Sequence, residues 1–281
     1  MDRIQSLKQS FLSFAGAIGL LAVIVVASPS AQTAPPAPPQ GWPADCAYKY
    51  SFGSGAMLLR YCVTTAGNLI YLETGQGTEH IYNYTASAGT VSEGYALCAD
   101  PSPAPWYQRE YYDFYAYGGF YLWHPVLVST DPLIIERTAI DNSFKLRQKF
   151  TPNPAEQELV VEMKLTNLLP VARTNVMLKR AVDFNVDSTG LDDVWDHTYY
   201  STWAKNGSGG VAISLKGFPA TFPSTQPNFA GVEWFGGSPS YPCGNESHGP
   251  RTGEAQGFVG FSMGTIAAKA TKAVKVRYGH Q

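Results

Sequence analysis

The amino-acid sequence predicts an all-β protein, an antiparallel β-sandwich of roughly a dozen strands. Three observations predict it. Short runs that alternate apolar and polar residues follow one another from Trp42 onward. Turn-forming clusters separate them, in a chain with 27 Gly and 20 Pro. Beyond residue 27, no window of helical length repeats apolar residues with a 3.6 period. No fixed-period repeat is present either, which argues against a propeller or solenoid.

Residues 1–27 are expected to be a secretory signal. Arg3 and Lys8 precede the uncharged run FLSFAGAIGLLAVIVVA, and Val25-Val26-Ala27 supplies small residues for cleavage. Retention as a membrane anchor is the alternative. Residues 28–41 include APPAPPQ, whose prolines favour a semi-rigid polyproline II tether. The folded part is then a single domain over 42–281, with a secreted, periplasmic or cell-surface location.

Within that domain, runs 57–63 and 68–73 flank Thr64-Thr65-Ala66-Gly67 as a hairpin. Runs 79–84, 94–98, 133–138 and 144–150 follow. The alternation is clearest in 159–166, where Leu159, Val161, Met163 and Leu165 share one face and Glu162, Lys164 and Thr166 the other. Asn153-Pro154 and residues 167–170 mark the turns around it. Later strands are expected over 173–183, 199–205, 211–216, 232–235, 257–263 and 273–278, with 265–272 a loop or a single helical turn.

The cysteines are Cys46, Cys62, Cys98 and Cys243. An even count in an exported chain suggests two disulfides with three possible connectivities. The local pair Cys46–Cys62 is preferred, leaving Cys98–Cys243. Removing the two basic and one acidic residues of the signal leaves 18 basic and 21 acidic side chains, a net charge of −3. That gives no electrostatic case for nucleic acid.

The order Gly67-Asn68-Leu69-Ile70, then Phe144-Lys145-Leu146-Arg147-Gln148-Lys149-Phe150, then the alternating strand 161–167 ending at Thr166-Asn167, resembles the strand grammar of galactose-mutarotase-like β-supersandwiches. The resemblance covers about a third of the domain and is made of packing residues. It implies a supersandwich and a carbohydrate-facing function. The family's catalytic His pair and Glu base have no counterpart at any spacing that aligns, so no catalytic residue is carried over.

Two stretches are candidates for a site. The first, 183–203, holds Asp183, Asn185, Asp187, Asp192, Asp193 and Asp196 without a Lys or Arg. Hard cations take several oxygen ligands, so Asp183, Asn185, Asp187, Asp192 and Asp193 are candidate ligands for a structural Ca2+. The EF-hand form is excluded, because Ser188 stands where it needs Gly and Val194 where it needs Glu. A solvated turn with capping aspartates explains the same residues. The second stretch, 106–123, has ten aromatics in eighteen residues. Trp106, Tyr112, Tyr115 and Trp123, with Trp195 and Trp203, are candidates to stack on sugar rings; core packing is the competing account. Glu93, Glu110, Asp113 and Asp183 are carboxylates that could pair for glycoside chemistry.

Three functions fit: a module binding a glycan or surface polymer, a carbohydrate-active enzyme (a sugar epimerase or glycan-cleaving enzyme), or a purely structural surface protein. Convergent carboxylates, or a His beside a Glu, would favour the enzyme. Membrane contact is expected only through an uncleaved N-terminal segment.

Overall fold

A computed structural model describes residues 42, 46–75, 79–80, 93–100, 110–114, 123–139, 141–186, 193–207, 212–218, 227–234, 249–253 and 255–280. The expected signal and linker lie outside them. The described residues are strands joined by turns, with one 3-10 turn at Gly55–Met57. No helix among them is long and apolar enough to cross a membrane.

The chain opens with a three-stranded sheet of β1 (Tyr48–Phe52), β2 (Leu59–Val63) and β3 (Leu69–Thr74). The predicted 64–67 turn joins β2 to β3, with the Thr64 hydroxyl accepting from the N–H groups of Ala66 and Asn68. After β4 (Glu79–His80), β5 (Glu93–Asp100) and β6 (Glu110–Phe114) come β7 (Trp123–Thr130), β8 (Leu133–Ala139), β9 (Phe144–Asn153) and β10 (Glu158–Asn167). Next are β11 (Arg173–Val182), β12 (Asn185–Val186), β13 (Val194–His197), β14 (Ser201–Lys205), β15 (Ile213–Phe218) and β16 (Pro227–Trp234). The last are β17 (Arg251–Thr252), β18 (Ala255–Ile266) and β19 (Thr271–His280).

Two sheets make the sandwich. The larger has nine strands in the order β17-β13-β14-β15-β19-β10-β9-β8-β7, and the smaller has five, β16-β18-β11-β5-β6. Every pairing in both is antiparallel. The inward residues follow the predicted alternation. Phe144, Leu146 and Phe150 of β9 and Leu159, Val161, Met163 and Leu165 of β10 meet Val176, Leu178 and Val182 of β11 and Val259, Phe261 and Met263 of β18 in one core. Gly257 of β18 has no room for a side chain, since a Cβ there would lie 2.3 Å from the Thr202 hydroxyl of β14. The sheets therefore approach closely at that point.

The turns behave as read. After β9, the Gln157 N–H donates to the Pro154 carbonyl. After β10, the buried Asn167 amide donates to Val171, Ile266 and Ala267 carbonyls, tying this turn to the one between β18 and β19. The strand count differs from the expectation. The acidic stretch contains β12 and β13 where a loop was expected, and β1, β6, β7 and β17 were not anticipated. Apart from β7, these strands have five residues or fewer, too brief for alternation to register; β7 has eight, but Val126, Leu127 and Val128 are all exposed, so no buried face alternates along it.

Candidate functional site

Polar side chains collect in two places around the five-stranded sheet. One lies inside the sandwich. Glu93 of β5 and Arg180 of β11 project toward the nine-stranded sheet, and both are completely buried. Arg180 donates to the Glu93 carboxylate, to the Gln148 side-chain oxygen and, at 3.3 Å, to the Gly67 carbonyl. The Tyr278 hydroxyl also donates to Glu93, and the Leu69 N–H donates to its other oxygen at 2.8 Å. Burial pushes the Glu93 carboxyl up, while Arg180, Tyr278 and Leu69 pull against that shift. The cluster joins three sheets and has no path to solvent, so it is a structural knot. Glu93 is thereby removed from the set of carboxylates expected to pair for glycoside chemistry.

The other place is the opposite face of the same sheet. On β11, Val176, Leu178, Arg180 and Val182 point inward, so Met177, Lys179, Ala181 and Asp183 point outward. On β18 the outward residues are Gln256, Phe258, Gly260 and Ser262. The register aligns them in rows. Ala181 stands between Gly94 and Phe258, and Lys179 between Ala96 and Gly260. Glycine and alanine thus form a floor from which Lys179 and Phe258 rise. The Lys179 ammonium lies 4.0 Å from the Phe258 ring centre, a cation–π contact. Lys179 and Asp183 are each 2% exposed. They lie four residues apart on one row, about 13 Å along the strand. On β6, Tyr112 is opposite Ala96 and Phe114 opposite Gly94; on β16, Phe229 is opposite Gly260 and Glu233 opposite Gln256. Among the side chains described on this face there is one carboxylate, Asp183, and no histidine.

The sequence-predicted residues fall as follows. Tyr112 is on β6, at the position paired with Ala96. Trp123 begins β7, opposite Ala139, on the edge strand of the other, nine-stranded sheet. Trp203 is half-buried on β14. Trp195 corrects the ligand expectation: it is 1% exposed, belongs to the core and stacks on Phe184 with ring centres 5.8 Å apart. Trp106 and Tyr115 lie outside the described residues. Of the candidate calcium ligands, Asp183 is buried at the end of β11. Asn185 opens β12. Asp193 is fully buried, its carboxylate accepting the Val186 N–H at 2.9 Å. Asp187 and Asp192 lie outside the described residues. Among the described residues no group of three or more His, Cys, Asp or Glu is arranged to hold a metal ion. Cys46 and Cys62 form the expected disulfide. Cys98 is also disulfide-bonded; its expected partner Cys243 lies outside the described residues.

Sequence reasoning missed Lys179. Its place on the face opposite Val176, Leu178 and Val182 is the one that a half-buried strand gives to water, so the sequence carries no signal that it is buried.

No family model matches the sequence, and no curated protein matches it. Solved structures do. A bacterial glucoamylase complexed with acarbose superposes with a TM-score of 0.51 at 8% identity, over 86% of this chain and 34% of that one. A galactose mutarotase related enzyme from Lactobacillus acidophilus superposes with a TM-score of 0.51 at 5% identity, over 83% of this chain and 97% of that one. The fold is mutarotase-like. The chain spans about a third of the glucoamylase's length, and at these identities the likeness is one of fold alone.

Proposed function

We propose that this is an exported carbohydrate-binding protein whose ligand, a glycan or cell-surface polymer, lies on the outward face of the five-stranded sheet. The observation that carries the reading is Lys179, held against Phe258 above a floor of glycine and alanine with Asp183 in the same row. An ammonium and a carboxylate on one sheet face are groups suited to bonding hydroxyls. The Phe258 ring adds an apolar wall, the usual composition of a ligand site. The carbohydrate-related fold of the solved neighbours supports the ligand class, and the disulfide supports export.

A carbohydrate-active enzyme is the alternative. It would need a second carboxylate roughly 5–9.5 Å from Asp183, and Glu233 is on the edge strand β16, two strands from β11, paired with Gln256 of β18.

A glycan-array screen tests the reading. The wild-type chain is expected to bind a defined subset, and Lys179→Met and Asp183→Asn to lose it while keeping a cooperative unfolding transition. Binding retained in both folded variants, or no glycan bound by the wild type, would overturn it. Should Lys179→Met fail to fold, Phe258→Leu tests the same wall.

A further inference from the structure

The outward face of the nine-stranded sheet, the far side of the sandwich from Lys179, carries a charge imbalance of its own. From β9 come Lys145, Arg147 and Lys149, from β10 Lys164, from β19 Lys275 and Arg277, and from β15 Lys216. Against these seven cations, the same face of β8, β9, β10, β19 and β15 sets three carboxylates, Glu136, Glu158 and Glu162. The excess is four positive charges on a chain whose formal net charge is −2. Non-specific solvation of a sheet does not need such segregation.

The register sharpens the point. Arg147 stands directly opposite Lys164, and Lys216 directly opposite Arg277. Like charges at cross-strand positions repel and cost stability. The available carboxylates do not cancel this. Glu136 is shared by Lys145 and Arg147, Glu162 by Lys164 and Lys275, and Glu158 serves Arg277. Lys149 is opposite Glu162, whose two oxygens go instead to Lys164 at 3.1 Å and Lys275 at 3.5 Å. Among the described residues, neither Lys149 nor Lys216 has an ion pair. Aromatic rings border the same patch. Arg277 lies over Phe218 at 4.7 Å, and half-buried Trp203 is opposite Ser214, two residues from Lys216.

We propose that this face binds an acidic polysaccharide laid across β9, β10, β19 and β15. Its carboxylates or sulfates would sit between the facing cation pairs, and its sugar rings would stack at Phe218 and Trp203. The surface is distinct from the Lys179 trough and does not depend on it.

The test uses the full chain against alginate, with neutral dextran and single-stranded DNA as comparisons. Alginate is expected to bind, dextran and DNA to bind weakly or not at all, and alginate affinity to fall with added salt. Lys149→Glu with Lys216→Glu is expected to weaken alginate binding about tenfold or more, whereas Lys149→Arg with Lys216→Arg retains it. Both lysines are half-buried, and Lys149→Glu stands opposite Glu162, so binding is compared at a temperature well below the measured thermal midpoint of each variant. Lys179→Met leaves this binding unchanged, which separates it from the function proposed above. Indifference of alginate binding to the Glu variant would overturn the proposal, as would equal affinity for DNA.

Discussion

Arg180 and Glu93, on adjacent strands of one sheet, form an ion pair in which neither side chain is exposed to solvent. The pair is closed on every side by protein: Tyr278 from β19, Gln148 from β9, and the Gly67 carbonyl and Leu69 N–H at the start of β3. Three sheets, which also share one apolar core, converge on it.

Breaking that pair from one side leaves a buried charge unpaired. Glu93→Gln is expected to cost about 3–5 kcal/mol, measured by urea unfolding. Glu93→Gln combined with Arg180→Met should recover part of the loss, because no ion is then stranded. A single variant within 1 kcal/mol of wild type, a small effect on the usual scale, would refute the knot.

Gly67 sits at φ +86°, and a Cβ there would lie 2.4 Å from the Gln148 amide nitrogen. Gly67→Ala therefore combines a left-handed backbone with a clash against a residue that Arg180 holds in place. The expected loss is about 1–3 kcal/mol. Truncating Gln148 as well should remove the clash but not the backbone strain, a split that a double-mutant cycle reads directly.

His280 gives the fold a pH dependence. Burial holds its imidazole below the ordinary value of 6.5, and its ring nitrogen bonds the Thr74 hydroxyl of β3. The folded state favours the neutral ring, so the unfolded chain takes up the proton first. This contribution to stability is whole above 6.5 and is lost as pH falls from there through the folded value. Unfolding midpoints measured from about pH 8 down to about pH 5 should drop, and His280→Gln should flatten the drop. An unchanged profile in the variant would exclude His280 as its source.

Asp193 already has an occupation. One carboxylate oxygen accepts the Val186 N–H, and its carbonyl accepts the Gly253 N–H. Such a carboxylate caps a turn without help from an ion. Asp193→Ala is expected to cost about 1–3 kcal/mol, in calcium and in chelator alike. A rise of several degrees in the wild-type midpoint with millimolar calcium is the result that a structural calcium site on the acidic run requires, since a ligand of the folded state must stabilise it; equal midpoints in calcium and chelator would exclude that site.

The fold was legible where alternation is long. β9, β10 and β11 read correctly because ten-residue strands average out single exceptions. The same averaging hid the exceptions. Gln148 and Arg180 sit in inward positions that a period-two reading assigns to apolar residues, and their contact with each other and with Glu93 explains them. Glu93, taken from sequence as a carboxylate free to pair across a site, is committed inside the core. Trp195, placed by sequence beside aspartates, faces Phe184, because four residues of β13 are too few to reveal which side is buried. The two outward faces depend on register across several strands, and register is not written in any one of them.

β19 lies in the middle of the large sheet, between β15 and β10, and its Tyr278 completes the bonds to Glu93. Until residues 271–280 are synthesised, β10 and β15 both present bare edges and the buried acid lacks a donor. The nine-stranded sheet therefore cannot close over Glu93 before residues 271–280 pair, because β19 is the strand that joins its β15 side to its β10 side.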